Sequence, residues 1–348
     1  MLGAVRRNRW WLGRLAVVPL HVLLFAVVAF FLVRAIPGDP VVTLTGGELT
    51  PAQLEEARAS LGLNGSLGEQ LLAFLGNLVQ LDLGASLYTG RTVMEEFQQR
   101  VPATVELALL ALGGTFVFAV VGAYAVVAWP RNPVSLLLRL YARTAGAIPF
   151  FVLAVAGIFL FHVTLEWAPA PTGRVSNGVD VPAALTGFPL LDSVLRGQFE
   201  ATGSMAAHLV LPVATLVLAQ ADILMKLLIR GLEDEIDTPQ TRFRVSTGVR
   251  RSTVLLSVYR RALPPVITLS GTMFGYLLGG AVITESLFGL GALGQYAVAA
   301  VNSKDVVALQ GFLLLTAAMS LVVFLVVDLV NMLLDPRRRP GVRTEVSS

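Results

Sequence analysis

Six runs of predominantly apolar residues recur along this chain, at about 15–33, 103–129, 142–165, 206–229, 266–283 and 306–334. A hydrocarbon core about 30 Å thick takes roughly 20 apolar residues as helix, so each run predicts one transmembrane helix. The pattern predicts an all-α integral membrane protein with six spans. After the first span, the polar segment 35–102 carries a turn-rich start (Pro37-Gly38-Asp39-Pro40) and two short helical patterns, 51–61 and 67–78. Segment 166–205 is rich in Gly, Pro and Thr and reads as loop with brief helix. The stretch 284–304, with Gly289, Gly291 and Gly294 before an apolar patch at 296–301, is too short to cross. It is expected to dip back or to lie at the membrane surface.

One polar stretch breaks this rhythm. Residues 231–263 open with Glu233, Asp234, Glu235 and Asp237, then turn basic with Arg242, Arg244, Arg250, Arg251, Arg260 and Arg261. Such a loop is far longer than a turn between helices needs. After Gly248, apolar residues fall at Val254, Leu255, Val258, Tyr259 and Ala262, one face of a helix of period 3.6. Bracketed by arginines, that face can enter a partner's groove while its cations reach carboxylates. It can equally lie on anionic lipid head groups. The residues alone leave both open. Gly248 stands where a positive φ or a close backbone approach is expected.

Charge fixes the expected orientation. With the N-terminus inside, seven of the 26 Lys and Arg lie outside: Arg34, Arg58, Arg91, Arg100, Arg174, Arg196 and Lys304. The remaining 19 lie inside, which satisfies the positive-inside rule and places both termini and the 231–263 loop in the cytoplasm. The first run follows Arg6, Arg7, Arg9 and Arg14, but it exceeds a signal-peptide core and is expected to be a retained span.

Composition removes several classes of function. The 348 residues are 55% hydrophobic and 14% charged, outside the soluble globular range. Without cysteine, thiolate catalysis and disulfides are excluded, and no phosphate-binding loop motif points to ATP hydrolysis. His21, His162 and His208 sit apart, so no metal site is expected, and His162 and His208 are expected to hydrogen-bond between helices. Glu106, Asp222, Lys226, Glu285 and Asp328 are the charges in or near spans. Asp222 and Lys226, at i, i+4, are expected to pair; Glu106 and Glu285 suit helix caps near the outer surface; Asp328 is expected to face another helix. Gly271, Gly275 and Gly279 recur every fourth residue, which suits close helix packing within the chain, at an interface, or along a pore. Ile148-Pro149 and Leu211-Pro212 are candidate helix breaks or tolerated kinks.

Several motifs, in collinear order over about residues 14–338, then carry a resemblance. These are Ile36-Pro-Gly-Asp-Pro40, Leu61-Gly-Leu63, the run Asp82 to Val93, Arg100-Val-Pro-Ala-Thr-Val-Glu-Leu107, Gly279 to Gly294, and Val327-Asp-Leu-Val-Asn-Met-Leu-Leu-Asp-Pro-Arg337. Together they resemble the DppB/OppB-like permease subunits of ABC peptide importers. The resemblance implies a non-catalytic chain in a bacterial or archaeal cell membrane. It implies a second permease subunit, two ATP-binding cassette ATPases that bind ATP and Mg, and an extracytoplasmic substrate-binding protein. Surrounding lipid is expected, nucleic acid is not. Implied substrates are di- or oligopeptides, with nickel chelates and some glycosides handled by close relatives.

On that reading residues 1–34 form the cytoplasmic N-terminus and first span, 35–102 an extracytoplasmic segment, 103–338 a five-span core, and 339–348 a cytoplasmic tail. Loop 231–263 is the coupling loop, with Gly248, Arg250, Arg251, Val254, Leu255, Val258 and Tyr259 as ATPase-docking candidates. The run 243–249 departs from the family's small-residue, lysine-bearing form, although Gly248 matches. The competing reading is a secondary transporter or channel working alone, which should show a pseudo-repeat and broken polar segments at the midplane.

Overall fold

The computed structural model describes residues 10–35, 50–60 and 64–334. The motifs at 36–40 and 61–63, Arg6, Arg7 and Arg9, and everything beyond 334 lie outside these residues. Among the described residues every regular element is helical, and extended pairing is limited to a single bridge between Ala85 and Thr92. In chain order the helices are α1 (Trp10–Arg34), α2 (Pro51–Ser60), α3 (Leu67–Val79), α4 (Val93–Ala128), α5 (Pro133–Thr144) and α6 (Phe150–Gly157). Then follow α7 (Pro189–Leu195), α8 (Phe199–Ile236), α9 (Pro239–Ser246), α10 (Arg251–Leu287), α11 (Leu293–Asn302) and α12 (Val306–Leu334).

Five of the six expected spans are continuous helices long and apolar enough to cross a membrane: α1, α4, α8, α10 and α12. The sixth is bent. Residues Pro133–Ala147 and Phe150–Thr164 meet at 113° across Ile148-Pro149. Proline has no N–H and pushes its predecessor out of the helical region, and Ile148 is extended at φ −94°, ψ 118°. A π-helical turn over Ile158–Thr164 closes the second arm. Pro212, the other candidate break, lies inside α8 without ending it.

The chain divides into two units, Met1–Val101 with Gln295–Ser348, and Pro102–Gly294. In the first, α12 packs on α1. The end of α1 is tied to α3 where Arg34 Nε and Nη2 donate to Gln70 Oε1 at 3.1 and 2.7 Å. Helix α3 starts with a full capping box between Ser66 and Glu69. Asp305, fully buried, opens α12: Ala308 N–H donates to its Oδ1 at 2.9 Å, and Ser86 Oγ and Tyr88 N–H donate to Oδ2 at 2.7 and 3.1 Å.

In the second unit α4, α5, α8 and α10 share a core around Ala119, Ala123, Met225, Leu228, Val258 and Ala262. Small residues permit the approach. A Cβ on Gly122 would collide with Met225 Cε, and one on Gly231 would meet Ala262 Cβ at 3.4 Å. At the far end, Leu190 and Leu191 N–H cap onto Glu106 Oε1 at 3.0 and 3.2 Å. Arg174 Nη1 pairs with Glu106 Oε2 at 3.2 Å, while its Nε and Nη2 donate to Leu290 O and Ala103 O at 3.0 and 2.8 Å. Burial lowers the Arg174 pKa, and the Glu106 and Glu285 carboxylates oppose that shift. Gly294 N–H donates to Glu285 Oε2 at 2.6 Å. Glu106 and Glu285 thus accept from backbone N–H groups in the first turns of α7 and α11, the capping role expected of them. The turn between α10 and α11 uses positive φ at Gly289 and Gly291. A Cβ on Gly294 would strike the Val282 backbone, so the turn needs glycine there, and the ten residues of α11 are too few to cross.

Three expectations are corrected. Asp222 and Lys226 form no ion pair among the described residues: Asp222 is buried with its Oδ2 facing Gly146, in the turn of the bent pair, whereas Lys226 is exposed. His162 and His208 bond locally, their Nδ1 to Ala168 O and Ser204 O, and not between helices. The polar stretch 231–263 is mostly helix: α8 runs to Ile236 and α10 begins at Arg251, leaving only α9 and its flanking turns between them.

Candidate functional site

The corner between α8 and α10 is built from its sequence in three steps. Thr238 is the N-cap of α9 and Pro239 its first residue, an order that starts a helix without wasting an N–H. Thr238 Oγ1 and Thr241 Oγ1 both donate to Glu235 O, at 2.9 and 2.8 Å, locking α9 against the end of α8. Helix α9 then stops in a Schellman turn: Gly248 N–H donates to Val245 O at 3.1 Å and Val249 N–H to Arg244 O at 3.2 Å. Gly248 occupies the left-handed position at φ 74°, and a Cβ there would meet nothing within 4 Å. The glycine is therefore required by backbone conformation and not by space.

Arg261 staples the corner. Its Nε pairs with Glu235 Oε2 on α8, Nη2 donates to Thr241 Oγ1 on α9 at 2.7 Å, and Nη1 donates to Ser257 Oγ on α10 at 2.8 Å. By contrast the Arg242–Asp237 pair, at 3.5 Å, is 72% and 79% exposed. Exposed pairs contribute about 0–1 kcal/mol, so the three-way Arg261 contact dominates the local electrostatics.

The apolar stripe of α10 divides between two roles. Val254 and Val258 are buried in the chain itself, together with Ala262, and Tyr259 turns inward, its OH donating to Val120 O at 3.2 Å. Tyr259 is half-buried, because α10 is a continuous helix whose inner face covers α4 and α8. What lies open is an apolar groove of about 740 Å³ with Val127, Ala128, Ile236, Val245, Val249, Val254 and Leu255 on its walls and Val258 at its base. Arg251 and the paired Arg242 and Asp237 also line it. Phe243 and Val245 on α9 are 67% and 61% exposed, next to exposed Arg244 and Arg250. Sequence periodicity missed these two because three apolar residues in eleven make no stripe. The Thr-Pro start and Gly stop around them were the available signal.

The second candidate set lies along α10. Gly271 and Gly275 are half-buried and Gly279 is exposed. A Cβ on Gly279 would meet nothing within 4 Å, whereas its neighbour Gly280 approaches Leu216. Packing inside one chain thus does not account for Gly279. On the same face Thr268 and Thr272 are half-buried and Tyr276 is 73% exposed. Among the described residues no group of three His, Asp or Glu is placed to hold a metal.

The comparisons with known proteins fit this frame. Residues 116–340 match the family described as "Binding-protein-dependent transport system inner membrane component", and residues 8–108 match the N-terminal part of such membrane components. This chain belongs to that family. It is a multi-pass permease subunit, a non-catalytic transport component of the bacterial inner membrane, and the DppB-like resemblance read from its motifs holds. Among similar relatives is the probable D,D-dipeptide transport system permease protein DdpB of Escherichia coli K12, 33% identical over 89% of this chain and 92% of the relative. The dipeptide permease DppB of Alkalihalophilus pseudofirmus is 31% identical over 89% and 93%. The di/tripeptide permease DppB of Pseudomonas aeruginosa is 33% identical over 89% and 92%. A solved amino acid ABC transporter overlaps 76% of this chain and 98% of its own at TM-score 0.46 and 14% identity, too distant to bear on the argument. The main family match spans the α9 corner, the α10 face and all of α12.

Proposed function

We propose that this chain forms half of the translocation path of an ATP-driven importer for di- or oligopeptides. It works beside a second permease subunit, on two separate ATPases that bind ATP and Mg, with an extracytoplasmic protein delivering substrate. The family supports dependence on a binding protein, and the relatives named above support peptides. The 19 inside positives support cytoplasmic termini and a cytoplasmic α9 corner. The observation that carries the reading is the surface of α9. Phe243 and Val245 stand exposed on a helix stapled to two spans, beside an apolar groove whose lining includes Arg251 and the Arg242–Asp237 pair.

Such a corner can transmit motion. A partner that holds α9 differently in its two nucleotide states shifts the permease between conformations, and only that difference in affinity does work on it. Because Arg261 joins α8, α9 and α10, displacement of α9 is passed to both spans together. The outward face of α10, with Thr268, Thr272, Tyr276 and Gly279, then supplies hydroxyls and open backbone to a hydrated path.

Replacing Phe243 and Val245 by Asp should weaken association with the ATPase chains by about 2 kcal/mol or more, the usual cost of losing central apolar anchors. Reversing Arg250 and Arg251 to Glu should weaken it as well. Affinity purification of the tagged permease reads both. Undiminished ATPase in the eluate of both variants would refute docking at this corner.

A further inference from the structure

A second pocket shares no lining residue with the groove beside α9. On α5, Arg139 and Arg143 stand at i, i+4, and on α8, Lys226 and Arg230 stand at i, i+4. The two helices present these four cations to one pocket of about 340 Å³ between them. Its one carboxylate, Glu233, is already paired with Arg139 at 2.9 Å. Arg143, Lys226 and Arg230 have no carboxylate within ion-pair distance among the described residues, and all three are exposed. A pocket with three uncompensated cations lowers the free energy of any anion that enters it, most of all one with several acceptor oxygens.

The surroundings state what kind of anion fits. Helix α5 is amphipathic. Its inner side buries Ser135 and Ala142, and Ser135 Oγ donates to Ala125 O at 2.9 Å. Its outer side leaves Leu136, Leu137 and Leu140 exposed by 68%, 65% and 56%. Helix α8 grades the same way along one face: exposed Ile223 lies one turn toward the span from Lys226, and Arg230 lies one turn beyond. Cations with open apolar surface beside them on the same two helices match an amphiphile whose phosphate sits in the pocket and whose acyl chains lie on that surface of α5 and α8. A soluble phosphate would use the cations but leave the leucines bare. A partner carboxylate would do the same.

We propose that this pocket is a binding site for the phosphate of an anionic phospholipid. The site stands on contacts within residues 102–294 and does not depend on which partner occupies α9. Only its assignment to the cytoplasmic leaflet rests on the orientation proposed above.

The test uses the full chain, purified with its partner subunits, and native mass spectrometry after incubation with vesicles of phosphatidylglycerol or phosphatidylcholine. The wild type should retain phosphatidylglycerol and not phosphatidylcholine. The triple variant R143Q/K226Q/R230Q should retain phosphatidylglycerol on the order of 100-fold more weakly, at about fivefold per cation. Its ATPase chains should co-purify undiminished, which separates failure here from failure of the docking corner. The charge-conserving R143K/R230K variant should keep most of the lipid and control for misfolding. Equal retention by the triple variant overturns the proposal. So does displacement of the lipid by millimolar inorganic phosphate, which would make free phosphate the ligand. Loss of ATPase or second-permease chains with lipid retention unchanged would make the pocket a protein contact and overturn it too.

Discussion

Gly248 shows how much the backbone conformation of a single residue can carry. Its φ of 74° lets α9 stop and the chain reverse into α10, and a Cβ there would have open space. A β-branched residue in this conformation costs about 1–2 kcal/mol. That is too little to unfold a membrane protein of this size, but enough to tilt the Schellman turn that aims Phe243 and Val245. Gly248→Val should therefore leave the amount of protein in the membrane near wild type while lowering transport several-fold. Uptake of labelled peptide normalised to immunoblot signal checks this, and full transport at normal protein levels would show that the turn has no part in coupling. The sequence marked Gly248 for a positive φ or a close backbone approach, and a positive φ is what it has. It could not show that Tyr259 faces inward, nor that Arg261 is spent on Glu235, Thr241 and Ser257. Both depend on which face of α10 the rest of the chain covers.

At the scale of elements, helix starts and stops were legible and helix continuity was not. The short helices expected at 51–61 and 67–78 stand as Pro51–Ser60 and Leu67–Val79, because Pro51, Ser66 and Glu69 are local signals. The bend at Pro149 was among the candidate breaks, but Pro212 offered the same signal and sits inside an unbroken helix. Proline states a local cost, and tertiary packing decides whether the helix bears it.

The turn before α7 gives an element-level test. Asp192 is buried and receives Thr186 Oγ1 and N–H at 2.6 and 2.8 Å, Gly187 N–H at 3.0 Å and Leu185 N–H at 3.1 Å. Burial alone would raise its pKa, but the combined hydrogen bonds outweigh it and hold the carboxyl at about 2. A depressed folded pKa stabilises the fold fully above the unfolded value near 3.9, and that stabilisation disappears as pH falls through about 2. The protection factors of the amides at 185–187, taken against the intrinsic exchange rate at each pH, should fall between about pH 4 and pH 2. Asp192→Asn should exchange faster already at pH 7 and lose the pH step. An unchanged step in the variant would assign it to another group.

For the whole molecule, the outward face of α10 and the exposed α9 corner leave this chain with surfaces that its own residues do not cover. That is the property of a subunit. In liposomes the chain alone, under a proton gradient, should take up no peptide. Reassembled with its second permease, ATPases and binding protein, it should take up peptide when ATP is supplied on the ATPase side. Uptake by the lone chain under the gradient would favour the stand-alone transporter instead.

By itself the sequence determined the number and approximate place of the apolar runs, the asymmetry of positive charge, and the family. Each of these is written in one dimension, as length, composition and ordered motifs, and needs no knowledge of what lies opposite. Only the tertiary structure decided which face of α10 is covered, that the long polar stretch is two helix ends and a short stapled helix, and that four cations on α5 and α8 share one pocket. Burial and pairing are properties of contacts between distant residues. The 3.6-residue period specifies that a helix has a face, and only the neighbouring helices settle what that face meets.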